Sequence, residues 1–222
     1  MKSAMFWNSS RNWKPKRKQR SQMKLYKYIG LSNFGYANCE AILRESKLWV
    51  SSYRKLNDPF EFRFASTNVS GKPDTGFAIA VKNSKNGVVS FSATNNDLLL
   101  WSHYANAHCG ICFEFDSDKD EILRTARPVS YVPAMPTYDP AKPDEMLYSK
   151  SISWKYEDEV RVIVPDKCDA QIKVSKDSLC AVYFGHNVTF DDIARFDPLC
   201  TGRNKKTERF ESSFRKSGRR RL

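Results

Sequence analysis

Apolar and polar residues alternate over several short runs of the chain, and this pattern predicts a protein built largely from short strands. The clearest region is 88–116. Residues 88–91 have the composition of a buried strand, and the ICFEFD run at 111–116 alternates as a half-buried strand does. Asn95-Asn96-Asp97 can turn the chain and cap a helix from Leu98 to about Ala107. The region is therefore expected to form a strand, a helix and a second strand in one compact unit.

Similar patterns predict the remaining elements. Further strands are expected in MKLYKYIG (23–30), LWVSS (48–52), the alternating Phe60, Phe62 and Phe64, SISWKYEDEVRVIVP (151–165) and SLCAVYFG (178–185). Helical spacing predicts helices at Tyr36–Ser46, at Phe77–Val81 and at Thr189–Phe196, where Thr189 and Asp192 form a capping box. Strands and helices do not follow a strict βαβ repeat. The expected fold is a single α+β domain with mostly antiparallel or mixed sheets and short helices.

The charge is unevenly distributed along the 222 residues. Residues 1–24 carry a net charge of +8 and residues 203–222 carry +7, so the rest of the chain carries −3 of the total of +12. We therefore expect a basic N-terminal arm at 1–24, a globular domain at 25–202 and a basic C-terminal tail at 203–222. Clustered Lys and Arg, with aromatic residues nearby in the N-terminal arm, suit phosphate contacts and base stacking, so nucleic acid is an expected partner. Solubilising ends are the alternative.

Composition also suggests a compartment. No run approaches the ~18 apolar residues of a membrane span, and the N-terminus does not have the pattern of a secretory signal. The six cysteines show no regular framework, which favours reduced thiols. We expect a cytoplasmic protein that does not associate with a membrane, and the sequence leaves its oligomeric state open.

Two acidic residues in the second half are candidates for chemistry. If 156–162 is a strand, Glu157, Glu159 and Arg161 lie on one face, with valines on the other. Two carboxylates roughly 6.5 to 7 Å apart along a strand repel each other, and the pKa of one can rise enough to make it a proton carrier. The alternative is a solvent-facing strand in which Arg161 neutralises Glu159.

Other kinds of site have weaker support in the sequence. His103, His108, Cys109 and Cys112 do not have zinc-site spacing, so no metal is predicted. The chain contains no G-x-S-x-G elbow, which argues against a serine hydrolase of that type. It also contains no G-x-x-x-x-G-K-[ST] or G-x-G-x-x-G loop, which argues against the common nucleotide-binding folds.

Several motifs in order resemble a widespread bacterial domain family of unknown function. They are LNDPFE, LWSHYA-x-x-H-x-G and W-x-Y-E-x-E-x-R, and the likeness covers roughly residues 24–190. The basic ends lie outside it.

A more distant likeness is to ADP-ribosyltransferases. It rests on the order of YKY at 26–28, a helix, SFS at 90–92 and EDEV at 157–160. The resemblance implies that Ser90 or Ser92 holds the nicotinamide ribose of NAD. It also implies that Glu159 bonds the 2′-hydroxyl and favours an oxocarbenium-like transition state, while Glu157 orients or deprotonates the acceptor. The first strand carries Lys27 and Tyr28 where these enzymes have His or Arg.

The resulting hypothesis is an ADP-ribosyltransferase-like enzyme that uses NAD as substrate and modifies a macromolecule, such as RNA or a nucleic-acid-associated protein, in bacterial defence or toxin biology. Its catalytic residues are Glu157 and Glu159. Its cofactor-binding residues are Lys27, Tyr28, Ser90, Ser92, Trp101, His103 and Tyr104. The alternatives are a non-catalytic nucleic-acid-binding module that uses Trp101, Tyr104 and the arms, and a metal-independent nuclease that uses His103, His108 and the two glutamates.

Overall fold

In the described part of the chain, the core of the fold is a mixed, mostly antiparallel sheet of nine strands. The computed structural model describes residues 22–58, 85–134, 145–201 and 206–209. The strands within these ranges are β1 Lys24–Gly30, β2 Lys47–Ser52, β3 Gly87–Ser92, β4 Gly110–Asp116, β5 Arg127–Pro128, β6 Ser130–Val132, β7 Ser149–Ser151, β8 Glu159–Val164, β9 Ala170–Lys173, β10 Leu179–Phe184 and β11 Lys206–Arg209. Strands β6 and β7 form a separate parallel pair.

The helices in the described ranges are short. They are α1 Asn33–Glu40, which continues as a π-helical segment Ala41–Glu45, α2 Leu98–Tyr104 and α3 Phe190–Thr201. Asp97 caps α2 by accepting hydrogen bonds from the backbone N–H groups of Leu99 and Leu100. Single 3₁₀ segments occupy Tyr53–Lys55, Ser117–Lys119, Leu123–Thr125, Glu145–Tyr148 and Ile152–Glu157.

Strand β3 lies at the branch point of the sheet. Strand β8 pairs with it along its whole length, from Gly87 to Ser92, and so occupies one edge. The other edge is shared: β2 pairs near Gly87, and β1 pairs at Ser92 through Tyr26. Because β1 and β2 take opposite ends of this edge, the middle of β3 faces a gap between them.

The two faces of the sheet bury different groups. Leu25, Phe113 and Phe115 belong to the larger apolar cluster, which also includes residues of α1 and α3. Tyr28 and Cys112 point to the other face, since side chains alternate along a strand, and there they pack against Trp101 of α2. Helix α2 therefore covers part of the second face beside the gap in the sheet.

The structure confirms a single α+β fold and changes several of the expected element boundaries. Helix α2 ends at Tyr104 rather than near Ala107, because Asn106, Ala107 and His108 all have positive φ. Strand β4 is buried along both faces, including Glu114, so the half-buried prediction was wrong. On its second face, Cys112 packs against Trp101 of α2, and Tyr183 and Lys24 bind Glu114; the alternation of the strand itself does not reveal these partners.

Other expected elements differ from the structure or lie outside the described residues. The expected strand at 151–165 begins only at Glu159, because Ile152–Glu157 is a 3₁₀ segment and Asp158 has a φ of 44°. Residues Lys206–Arg209, placed in the C-terminal tail by their charge, form β11 and pair in parallel with β10. The expected strand at Phe60–Phe64 and the expected helix at Phe77–Val81 lie outside the described residues.

Within the residues that the structure describes, every helix is too short or too polar to cross a membrane.

Candidate active site

A cavity of about 200 Å³ opens beside the gap in the sheet. It is lined by residues from β1, β2, β3, α2 and β8 and from the polar segments next to them. The lining includes seven of the nine residues that the sequence predicted for a site: Lys27, Tyr28, Ser90, Ser92, Tyr104, Glu157 and Glu159.

The register of β3 against β8 brings the serines and the carboxylates together. Ser92 pairs with Glu159, and Ser90 pairs with Arg161. Directly opposed residues of antiparallel strands project to the same face, so these polar side chains share one side of the pair. The hydroxyl of Ser92 also donates to the backbone carbonyl of Glu157 at 2.7 Å. Ser92 thereby holds the turn that carries both glutamates.

The carboxylates of Glu157 and Glu159 meet at one ammonium group. Lys150 of β7 donates to Oε2 of Glu159 at 3.1 Å and also to Oε2 of Glu157. All three residues are at most 5% exposed. Two carboxylates this close would repel each other strongly in a buried setting, and the shared cation compensates that repulsion. We call Lys150, Glu157, Glu159 and Arg161 the ion cluster.

Arg161 fixes the position of Glu159. Its Nε and Nη2 donate to Oε1 and Oε2 of Glu159 at 2.8 and 2.9 Å, which is a two-pronged contact, and the arginine is fully buried. Burial alone would raise the pKa of Glu159. Arg161, Lys150 and the Ser90 hydroxyl outweigh that effect and hold the pKa at about 2. Glu159 is therefore ionised at neutral pH, and the proposed proton carrier cannot be this residue.

Glu157 has a different set of neighbours. Tyr104 donates its hydroxyl to Oε1, and the side-chain amide of Asn57 lies 3.4 Å from the same oxygen. Burial, followed by the hydrogen bond to Glu157, raises the pKa of Tyr104 well above its usual value. The phenol therefore stays protonated and remains a hydrogen-bond donor to Glu157 at neutral pH.

Two expectations about the glutamates need correction. Glu157 does not share a strand face with Glu159, because it ends the 3₁₀ segment before β8. The solvent-facing alternative was also wrong, since both glutamates and Arg161 are buried. The pairing of Arg161 with Glu159 agrees with the sequence analysis.

Two predicted site residues lie away from the cavity lining. The indole of Trp101 is fully buried, contacts Tyr28 edge to face with ring centroids 5.1 Å apart, and donates Nε1–H to the Asn95 carbonyl at 2.8 Å. The ring packs between α2 and the sheet, so it is not accessible to a nucleobase. His103 is exposed, with Nδ1 3.1 Å from the Tyr156 hydroxyl. In the described part of the chain, no group of three or more His, Cys, Asp and Glu residues is arranged to hold a metal ion.

Several lining residues were missed. Lys150 follows a stretch with prolines at 133, 136, 140 and 143 and no periodicity, and Asn57 begins an Asn-Asp-Pro run that is typical of a turn. Lys55 also lines the cavity from the 3₁₀ segment after β2. The acidic pair Glu157 and Glu159 was the one signal that could have indicated a missing lysine, because two carboxylates that are buried together require a cation. That rule does not indicate which lysine supplies it.

Comparison of the chain with protein-family models, with curated proteins and with solved structures gave no significant match.

The low pKa of Glu159 predicts how stability responds to acid. Because the folded-state pKa of about 2 is below the unfolded value, ionised Glu159 stabilises the protein above about pH 4.5, and this is lost as pH falls towards 2. The loss should be about 3 kcal/mol. Urea unfolding from pH 7 to pH 2.5 measures it. Glu159→Gln should remove this part of the pH dependence, and exposed Glu121→Gln should retain it. Identical profiles for wild type and Glu159→Gln would contradict the assignment.

Proposed function

We propose that the chain is an ADP-ribosyltransferase-like enzyme that transfers ADP-ribose from NAD to a macromolecular acceptor. The observation that supports this most is the pairing of Ser92 with Glu159 over a cavity that also contains Ser90 and Lys27. In the distant likeness to this enzyme class, a serine strand and a glutamate strand carry the functional residues. Their juxtaposition here provides a ribose-sized polar site.

The chemistry suits a fixed negative charge. In the transfer, the bond between the nicotinamide nitrogen and ribose C1 breaks, nicotinamide leaves with the electron pair, and positive charge develops on the sugar. Glu159, ionised and held by Arg161, can stabilise that charge without reorientation. Ser90 and Ser92 are placed to bond ribose hydroxyls. Glu157 is the group that orients the acceptor and accepts its proton, with Tyr104 positioning the carboxylate.

The electrostatics of the lining suit the rest of the substrate. Lys27, Lys55 and Lys150 line the cavity with the two carboxylates, and Arg161 pairs with Glu159 while Asp169 pairs with Lys55, so four cationic groups meet three carboxylates. The excess of positive charge favours a ligand with phosphates. A volume of about 200 Å³ is below the ~300 to 1,000 Å³ of pockets that enclose a whole drug-sized ligand. We therefore assign the nicotinamide riboside end to the cavity, with the diphosphate at its lysine-lined side.

The acceptor is proposed from charge. The two ends of the chain together carry +15, and the remainder carries −3. Polyanions such as RNA, or proteins bound to nucleic acid, are the acceptors that these ends would concentrate near the cavity. A small transferase of this kind is suited to bacterial defence or toxin biology.

Glu159→Gln tests the proposed chemistry. The substitution keeps the shape of the side chain but removes the negative charge, so release of nicotinamide from NAD should fall by roughly 10² or more. Circular dichroism at pH 7 verifies that the variant is folded, and Glu121→Gln is the surface control. Equal release by wild type and Glu159→Gln, or none from wild type across RNA and protein acceptors, would contradict the proposal.

Removing the charged ends tests the acceptor. RNA affinity of the full chain should fall steeply with salt, by about 0.7 in log–log slope for each single-strand phosphate neutralised. A chain trimmed to residues 22–209, which retains β1 and β11, should bind RNA weakly with a shallow slope. Fluorescence anisotropy across a salt series measures both quantities. A trimmed chain that kept the full affinity and slope would show that the ends are only solubilising.

A further inference from the structure

The side chain of Lys27 points to an apolar side of the sheet. It lies on β1 between Leu25, which is fully buried, and Ile29, and it pairs in register with Phe113. Leu25 and Phe113 belong to the main core. Lys27 reaches the cavity because the edge of β3 is uncovered there, and its Nζ donates to the Ser90 carbonyl at 2.9 Å. The Phe91 ring lies beside it, 5.9 Å from Nζ to the centroid.

This half-buried lysine differs from Lys150, the buried amine in the cavity. Lys150 is paired with two carboxylates, whereas no carboxylate in the described ranges lies within ion-pair distance of Lys27 Nζ. Burial lowers the pKa of Lys27 to about 8, although the negative charge of Glu159 acts in the opposite direction. At pH 7.5 about a quarter of such an amine is neutral, against about one thousandth for an ordinary lysine.

We propose that Lys27 is a carbonyl-reactive amine that forms a Schiff base with small anionic aldehydes entering the cavity. Three features carry the proposal: the amine lines a cavity, it has a hydrogen bond to a neutral carbonyl in place of an ion pair, and it lies on the apolar side of the sheet beside Phe91. A desolvated lysine of this kind is a typical nucleophile for carbonyl compounds. Lys55 on the same lining is 59% exposed beside its partner Asp169, and this accessible cation favours an aldehyde that carries a carboxylate or a phosphate.

The step balances without an oxidant or a reductant. The lone pair of neutral Nζ attacks the aldehyde carbon, and a proton moves from nitrogen to oxygen to give a carbinolamine. The hydroxyl then takes up one proton from water and leaves as water, and a protonated imine remains on Lys27. This property does not depend on NAD chemistry at the same cavity.

Reductive trapping on the intact protein tests the proposal. Wild type is treated with glyoxylate and cyanoborohydride at pH 7.5, and each lysine is followed by peptide mass spectrometry. The adduct should form on Lys27 at least tenfold faster than on the exposed Lys119, Lys155 and Lys173. Labelling of Lys27 at or below the rate of these surface lysines would overturn the proposal. The experiment uses wild-type protein alone, so its result does not depend on the folding of a variant.

A matched pair of variants tests whether the fast labelling occurs on Lys27. Lys27→Arg should remove the fast phase of labelling, and Lys155→Arg should leave it unchanged. A fast phase that persists in Lys27→Arg would also overturn the assignment. The outcome is independent of nicotinamide release, so failure of the amine proposal and failure of the transferase proposal are distinguishable.

Discussion

The structure around the cavity depends on one ammonium group shared by two buried carboxylates. Lys150, Glu157 and Glu159 are separated by fewer than ten residues in sequence, and the chain between them turns through a 3₁₀ segment and a left-handed Asp158. Burying two anions and two cations is unfavourable unless their hydrogen bonds are satisfied. Here Arg161, Tyr104 and Asn57 supply donors to the carboxylates, so the ion cluster defines a single arrangement of the segment.

That arrangement positions the rest of the cavity. With Glu159 fixed, β8 begins at a defined residue, and its register against β3 places Ser90 and Ser92 beside the carboxylates. The Tyr131 hydroxyl accepts the backbone N–H of Glu159 at 2.7 Å and ties the start of β8 to β6. Trp101 packs helix α2 against Tyr28 and Cys112 of the sheet, and Tyr104 of the same helix donates its hydroxyl to Glu157. Elements that are distant in sequence thereby converge on one charge arrangement.

Local patterns predicted part of this picture. Strands β1, β3 and β10 were predicted well, because the alternation in β1 and the apolar runs in β3 and β10 are local features of the sequence. The run YEDEVRV has the same alternation, yet its first residues are helical, since the ion cluster requires Glu157 to turn back towards Lys150. Trp101 was predicted as a site residue, although tertiary packing buries its ring completely.

The partners of the glutamates could not be predicted for a related reason. Lys150 and Asn57 are single polar residues in irregular segments, and their roles arise only from contacts between distant parts of the chain. The accessibility of Lys27 also could not be predicted. Lys27 lies on the same strand face as Leu25, and the gap in the sheet that makes its amine accessible depends on how β1 and β2 share β3.

Lys150 compensates the charge of two buried carboxylates, and a double-mutant cycle measured by urea unfolding tests this compensation most directly. Lys150→Met should destabilise the protein by about 3 to 5 kcal/mol, because it leaves two buried carboxylates with Arg161 as their one compensating cation within the ion cluster. Glu157→Gln should destabilise wild type but restore part of the stability of Lys150→Met, and exposed Lys155→Met serves as the control. Stability of Lys150→Met within about 0.5 kcal/mol of wild type, or strictly additive effects of the two substitutions, would contradict the account.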